Sequence, residues 1–369
     1  MKNSDLDLKY EDVLPKLPLN LQKKLEYSVN LLRKAEKLAN AYDPQNGYFL
    51  AFSGGKDSQA LFHVAKLARV RFKAHMNFTS VDPPEVIRFV RHEYPDIETI
   101  KPRDSIYHIA VQRKILPTMR VRWCCQEFKE SAGAGKVTLI GIRHEESARR
   151  AKRNEVEINS RKFSGNLEGL DEYRKEFFQK KRNKNKAVTI VNADGEQTIG
   201  CISGKESILI SPIIHWSEKD VWTLLNTMGV KHCSLYDEGY RRIGCIMCPM
   251  SQRKQKVMEI LRYPHVKRNW IRAIKTIRNS GVFADGYVWW NIKYTDFLRG
   301  LRKGFLHGSS FDRLSDEQKE DLIAEKIFEW WISGKSYKEW MAVEAQGSLF
   351  DDSQINKTHF NIYGLQKEN

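Results

Sequence analysis

Tyr48-Phe49-Leu50-Ala51-Phe52 runs without interruption into Ser53-Gly54-Gly55-Lys56-Asp57-Ser58. Five apolar residues with polar boundaries read as a short buried strand. From Ser58 to Ala68 the apolar positions Leu61, Phe62, Ala65 and Leu67 fall at helical spacing. A strand that turns into a helix through two glycines lets the backbone approach an anion closely, and the helix N-terminus points unpaired N–H groups at it. Ser53 and Ser58 add hydroxyl donors, Lys56 neutralises charge, and Asp57 is placed to hold a magnesium ion or orient a group. The plainer reading is a tight turn that needs glycine for its conformation alone. The spacing fits neither G-x-x-x-x-G-K-[ST] nor G-x-G-x-x-G.

Working outward, residues 20–42 carry Leu21, Leu25, Val29, Leu32, Ala35 and Leu38 on one helical face, and Asp43-Pro44-Gln45-Asn46-Gly47 ends that helix. Phe72 to Phe78, Lys136 to Gly141 and Ile208 to Ile210 read as further strands, with Pro83-Pro84-Glu85 opening a helix between the first two. Strands alternating with helices predict an α/β fold: a Rossmann-like parallel sheet with helices on both faces, followed by a helical C-terminal domain. The expected divisions are a helical segment at 1–46, a nucleotide-binding domain at 47–250, a basic aromatic-rich helical domain at 251–345 and a tail at 346–369. Within the second, residues 149–186 are polar, with little apolar periodicity, and read as an insertion.

The 369 residues are 41% hydrophobic and 11% aromatic, which excludes a wholly disordered chain. Six cysteines are too few for a disulfide scaffold of this length. No apolar run is long enough to span a bilayer and Met1-Lys2-Asn3-Ser4-Asp5 has no signal-peptide character, so the expectation is a cytoplasmic protein without a membrane partner. Lysine and arginine number 62 against 46 acids, a net charge of +16. Residues 251–308 hold 13 basic and three acidic side chains, whereas 309–369 hold seven and 12. The basic stretch includes Arg253, Lys254, Lys256, Lys267, Arg268, Arg272 and Lys275, with Trp270, Tyr287, Trp289, Trp290, Tyr294 and Phe297 among or after them. Cations for phosphates beside aromatics for stacking make a candidate DNA or RNA surface. The same residues equally fit a helical domain with aromatics in its core, and the acidic tail is a competitor for that surface.

Four cysteines form two pairs, Cys124-Cys125 and Cys245-Ile246-Met247-Cys248. Thiolates so grouped suit an iron–sulfur cluster or a tetrahedral zinc, although adjacent cysteines are awkward for zinc. Cys233 is a substitute ligand if one of the adjacent pair is unused, and Cys201 reads as a buried apolar residue. Arg143, Arg149 and Arg150 surround a strand end, where guanidiniums fork onto phosphate or sulfate oxygens.

These segments together resemble the phosphoadenosine phosphosulfate (PAPS) reductase family, within the adenine nucleotide alpha-hydrolase (PP-loop ATP pyrophosphatase) superfamily. The loop Ser53–Ser58 is similar to the superfamily's pyrophosphatase loop. Arg122-Trp123-Cys124-Cys125 with Phe128-Lys129 is similar to the Cys-Cys segment of adenylylsulfate (APS) reductases. Gly141-Ile142-Arg143 with Glu146-Ser147 and Arg150 is similar to a phosphate-contacting strand end. Ser211-Pro212 through Trp222, and Gly239 through Pro249, complete the order over residues 48–250.

The resemblance implies a nucleotide site of Ser53, Gly54, Gly55, Lys56, Asp57, Ser58, Asp82, Gly141, Arg143, Ser147 and Arg150, with Lys56, Asp57 and Arg143 catalytic. It also implies a [4Fe-4S] cluster on Cys124, Cys125, Cys245 and Cys248. One departure is Ser80-Val81-Asp82-Pro83-Pro84-Glu85, which stands where these reductases carry Asp-Thr-Gly and then Phe-Pro-Glu.

Two activities follow from the resemblance. The first is an ATP pyrophosphatase that binds ATP with Mg2+ and adenylates an acceptor for sulfur transfer, as in DNA phosphorothioation, with a sulfur donor such as a cysteine desulfurase. The alternative is an APS or PAPS reductase that produces sulfite with thioredoxin. No cysteine follows Cys248, whereas those reductases use a later one as nucleophile. A third reading is a non-catalytic nucleotide- or nucleic-acid-binding module.

Overall fold

The computed structural model describes residues 2–119, 121–129, 133, 135–159, 188–191, 197–200, 207–279, 287–289, 292–293 and 313–344. They divide into two compact units, Met1–Pro102 with Cys125–Gly244, and Arg103–Cys124 with Cys245–Asn369.

The first unit is built on strands β1 (Tyr48–Phe52), β2 (Phe72–Asn77), β3 (Glu98–Ile100), β4 (Val137–Leu139), β5 (Val156–Asn159) and β8 (Ser207–Ile210), in the order β3-β2-β1-β4-β8-β5. A separate antiparallel pair, β6 (Val188–Val191) and β7 (Gln197–Gly200), lies between β5 and β8 in the chain. The first five strands of that order pair in parallel, and β5 closes the edge antiparallel to β8. This is the Rossmann-like parallel sheet expected. The edge strand Val156–Asn159 is a finding, because it opens the stretch that reads as polar insertion. Residues 160–186 of that insertion lie outside the described residues.

Helices α1 (Leu19–Tyr42) and α2 (Lys56–Ala68) pack together, with Leu21, Leu25, Val29, Leu32, Ala35 and Ala39 buried on α1. Helix α3 (Pro84–Glu93) buries Val86 and Val90. Strand β1 pairs with β2 on one side and β4 on the other, so the strand order reverses there. In open α/β sheets ligands bind outside the carboxyl ends of the strands at such a switch point. Here those ends carry Ser53 and, after β4, Gly141.

The second unit contains helices α4 (Ile106–Arg113), α7 (Arg253–Arg262), α8 (Pro264–Ile277), α9 (Asp316–Ser333) and α10 (Tyr337–Glu344). Two more helices precede α7 in the chain, α5 (Trp123–Phe128) and α6 (Glu218–Thr227). Helix α8 buries Val266, Trp270, Ala273, Ile274 and Ile277, a repeat of three and four that makes one apolar face. Trp270 packs its ring 4.9 Å from both Tyr107 and Trp331, and the Trp331 indole N–H donates to the Pro117 carbonyl at 2.6 Å. Trp270, Trp330, Trp331 and Trp340 are therefore core residues.

The charged face of α8 is met by α9. Lys267 pairs with Glu325 at 3.0 Å, Lys275 with Asp321, and Arg278 with both carboxylate oxygens of Glu320. Lys256 is buried and donates to the carbonyls of Pro249 and Ile332. Of the seven cations singled out for nucleic acid, Arg253, Lys254, Arg268 and Arg272 remain exposed. Tyr287 and Trp289 lie on a two-stranded ladder, β9 (Tyr287–Trp289) with β10 (Ile292–Lys293). Trp290, Tyr294, Phe297 and Cys201, with the tail 346–369, lie outside the described residues. Among the described residues no helix is long and apolar enough to cross a membrane.

Candidate functional site

Gly54 takes the left-handed conformation (φ 72°), and a Cβ there would come within 2.9 Å of the Val86 and Val90 side chains. The loop is thus pressed onto α3, where only glycine fits. Ser58 staples it: its hydroxyl accepts the Ser53 N–H at 3.2 Å and donates to the Gly55 carbonyl at 2.8 Å. Gly55 caps α2 without a side chain, so the amides of the first turn have no local cap. Across the switch point a Cβ on Gly141 would stand 2.8 Å from the Asp57 carbonyl oxygen. That glycine lets the end of β4 close on the first turn of α2.

A cavity of about 160 Å3 opens at this point. Of the expected residues, Ser53, Gly55, Asp57, Ser58, Gly141 and Arg150 line it. Lys56 and Arg143 do not. Both are buried, and both hold Asp57: Arg143 Nε donates to one carboxylate oxygen at 2.7 Å, and Lys56 Nζ lies 3.6 Å from the other. Arg143 also donates to Glu145 at 2.8 Å. Burial works against the Arg143 charge, but Asp57 and Glu145 more than offset it and raise its pKa. Lys56 Nζ additionally donates to the Arg241 carbonyl at 3.1 Å and faces Glu218 at 3.4 Å. In this structure Lys56 and Arg143 therefore hold Asp57 and do not line the cavity.

Five lining residues were not singled out as site residues by the sequence: the apolar Ala51 and Ile243, and the polar Glu146, Tyr236 and Arg242. Glu146 pairs with Arg150 and lies 3.9 Å from Arg242, so one carboxylate spaces two guanidiniums at the mouth. Arg242 falls inside the Gly239–Pro249 segment, and its position in that segment was the one available signal. Two expected residues serve local structure. Asp82 accepts the N–H and hydroxyl of Thr79 at 2.6 and 2.9 Å, closing a turn, and the Ser147 hydroxyl accepts the Arg150 N–H at 3.2 Å.

The cysteines lie apart from this cavity's lining. Cys124 and Cys125 sit on α5, Cys233 is buried just before a short turn at Ser234–Tyr236, and the Cys248 N–H donates to the Cys245 carbonyl at 3.3 Å. Met247, between the last pair, has φ 57° and donates its N–H to buried Glu259 at 2.5 Å. Burial raises the Glu259 pKa to about 7. The donor chemistry of the two thiol pairs suits a thiolate-bound metal. Among the described residues no group of three or more His, Cys, Asp or Glu is gathered to hold a metal ion.

The family model for the phosphoadenosine phosphosulfate reductase domain matches residues 47–251. An uncharacterized protein of Methanocaldococcus jannaschii is 23% identical over 278 residues, covering 72% of this chain and 56% of the relative. An adenosine 5'-phosphosulfate reductase of Lysinibacillus sphaericus is 42% identical over 43 residues, 12% of this chain and 18% of the relative. The chain spans about half the length of the M. jannaschii relatives it matches. Among solved structures, the PAPS reductase of Candida auris in its phosphate complex aligns with TM-score 0.32 and 12% identity, covering 62% of this chain and 97% of that one. FMN adenylyltransferase of Candida glabrata with FAD and inorganic pyrophosphate aligns with TM-score 0.39 and 13% identity, covering 66% and 72%. The chain belongs to the phosphoadenosine phosphosulfate reductase family, and residues 47–251 are its nucleotide-binding domain.

Proposed function

We propose that this chain is an ATP pyrophosphatase that adenylates an acceptor for sulfur transfer. The carrying observation is the cavity at the switch point, floored by the Ser53–Ser58 loop and flanked by Arg150 and Arg242. An acceptor oxygen attacks the α-phosphorus of ATP, the bond to the β-phosphate oxygen breaks, and pyrophosphate leaves. A sulfur nucleophile then displaces AMP from the adenylated acceptor. Charge accumulates on the departing pyrophosphate, and preorganised amides and guanidiniums at that point lower the barrier. Gly55, Ser58 and the loop backbone bind the phosphates, Arg150 and Arg242 supply the outer cationic contacts, and Lys56 and Arg143 keep Asp57 and the loop in place. Magnesium enters with the nucleotide and neutralises phosphate charge. The acceptor is a nucleic acid or a small molecule, with a cysteine desulfurase as the class of sulfur donor.

The second reading, an APS or PAPS reductase working with thioredoxin, is favoured by the two cysteine pairs, which would carry a [4Fe-4S] cluster. Reduction of a sulfonucleotide needs a thiolate at the substrate sulfur. Among the described residues lining the cavity none is a cysteine, which favours the pyrophosphatase.

Incubation of anaerobically purified protein with α-labelled ATP, acceptor and sulfur donor is expected to release AMP and pyrophosphate. Sulfite formed from APS or PAPS with thioredoxin, and no AMP from ATP, would establish the reductase; nucleotide binding without turnover would establish a binding module. Bound iron and sulfide in the same preparation test the cluster separately. Lys56→Ala is expected to slow turnover at least tenfold, because the ammonium that ties Asp57 to the Arg241 carbonyl is lost. A variant with unchanged turnover would remove Lys56 from the machinery.

A further inference from the structure

Tyr236 lies between the segments Ser211–Trp222 and Gly239–Pro249, and its hydroxyl lies over the Ser53–Ser58 loop. The phenol oxygen accepts the Lys56 N–H at 2.8 Å and stands 3.4 Å from where a Cβ on Gly55 would be. Lys56 is the first residue of α2, so that N–H is one of the orphan donors of the helix end. The ring is held from two sides. Trp222 meets it edge-on at 5.1 Å and His232 at 6.1 Å, and the Lys56 ammonium lies 5.7 Å from the ring centroid. Its backbone is fixed as well: the Tyr236 N–H donates to the Cys233 carbonyl at 3.0 Å.

An oxygen that accepts the helix amide still has a proton to give. Among the described residues no group accepts that proton, and Tyr236 lines the cavity. We propose that Tyr236 is a phosphate-binding residue of this site: its hydroxyl, held by the Lys56 N–H, donates to a phosphoryl oxygen of the nucleotide seated over Ser53–Ser58. This rests on the nucleotide reading given above and adds to it a neutral donor. The addition matters because the two cations lining the cavity, Arg150 and Arg242, face two carboxylates, Glu146 and Asp57. Burial, with Asp57 and Glu218 nearby, raises the phenol's pKa, so it remains a donor through the physiological range. A donor to a charged oxygen is the stronger kind of hydrogen bond.

The test is calorimetric titration of the full chain with ATP and, separately, with adenosine. Tyr236→Phe is expected to weaken ATP binding about tenfold or more while adenosine binding changes less than about twofold. Inorganic pyrophosphate titrated in the same way should lose affinity as ATP does. The comparison remains informative if Tyr236→Phe lowers stability, because a packing role predicts equal loss for adenosine as well. Unchanged ATP affinity in Tyr236→Phe would overturn the proposal. Tighter ATP binding would also overturn it, since the hydroxyl would then be a plug in the phosphate seat. Wild-type protein that bound none of ATP, APS or PAPS would instead defeat the nucleotide reading itself.

Discussion

Arg143→Met is expected to cut ATP turnover at least a hundredfold and to destabilise the first unit by about 3 kcal/mol. Arg143 is 3% exposed and makes its shortest contact, 2.7 Å, with Asp57. Removing one partner of a buried ion pair leaves the other desolvated and uncompensated, which costs more than the pair itself contributes. Glu145 suffers less, because it also accepts the Glu218 N–H at 2.6 Å. Among the described residues Asp57 keeps only the Lys56 ammonium at 3.6 Å, and that ammonium is shared with Glu218 and the Arg241 carbonyl. An Asp57 carboxylate released from Arg143 has one direction open, the cavity it lines. There its charge repels the incoming phosphates, so binding and turnover fall together. Arg143→Lys restores the charge without the fork that spans Asp57 and Glu145, and should recover only part of the loss. Urea unfolding and α-labelled ATP turnover measure the two effects. A methionine variant that turned over ATP at the wild-type rate would show that Asp57 does not need its anchor.

The loop was legible because its signal is local. Five apolar residues, two glycines and a helical repeat within 21 residues of sequence dictate strand, turn and helix, and the structure places them so. Which cations line the cavity was not legible, because the deciding contacts are distant in sequence. Arg143 reaches Asp57 across 86 positions, and Tyr236 reaches Lys56 across 180. Residue type alone ranked Lys56 and Arg143 above Arg242. Pairing with Asp57 keeps the buried Lys56 and Arg143 out of the cavity lining, which Arg242 joins.

The basic stretch shows the same limit from the other side. Counting charge over 251–308 cannot reveal that Glu320, Asp321 and Glu325 lie along α9 against Lys267, Lys275 and Arg278. Only the opposite sign of the segment 309–369 hinted at it. The edge strand β5 escaped for a different reason. Val156-Glu157-Ile158-Asn159 offers two apolar residues, and Glu157 is buried through local bonds from Arg153 and the Asn154 N–H. A buried carboxylate so satisfied has no counterpart in an apolar pattern.

His63 should make the first unit acid-sensitive at pH values where most carboxylates are still ionised. It is completely buried in the middle of α2, and its Nε2 lies 3.3 Å from the Tyr94 hydroxyl oxygen. Tyr94 gives its own proton to Gln59 at 2.9 Å and accepts from Asn3 at 3.2 Å. The ring is therefore neutral with its proton on Nε2, and Nδ1 faces no partner among the described residues. Protonating Nδ1 would bury a charge one turn from Lys66, and burial first, then Lys66, push the pKa down to about 3. An unfolded histidine titrates near 6.5, so between about pH 6.5 and 3 the unfolded state binds the extra proton. Stability is complete above that window and falls as pH drops through it. Two and a half pH units, from 7 to 4.5, correspond to a loss of roughly 2–3 kcal/mol from this residue. Replacing His63 with glutamine removes the titration and keeps a hydrogen-bonding group beside Tyr94. Urea unfolding at pH 7 and 4.5 should show wild type losing about that much more than His63→Gln, whatever the variant costs at pH 7. Equal losses in the two proteins would mean that the imidazole finds water or an acceptor on protonation, and that the core around Tyr94 opens more readily than its packing implies.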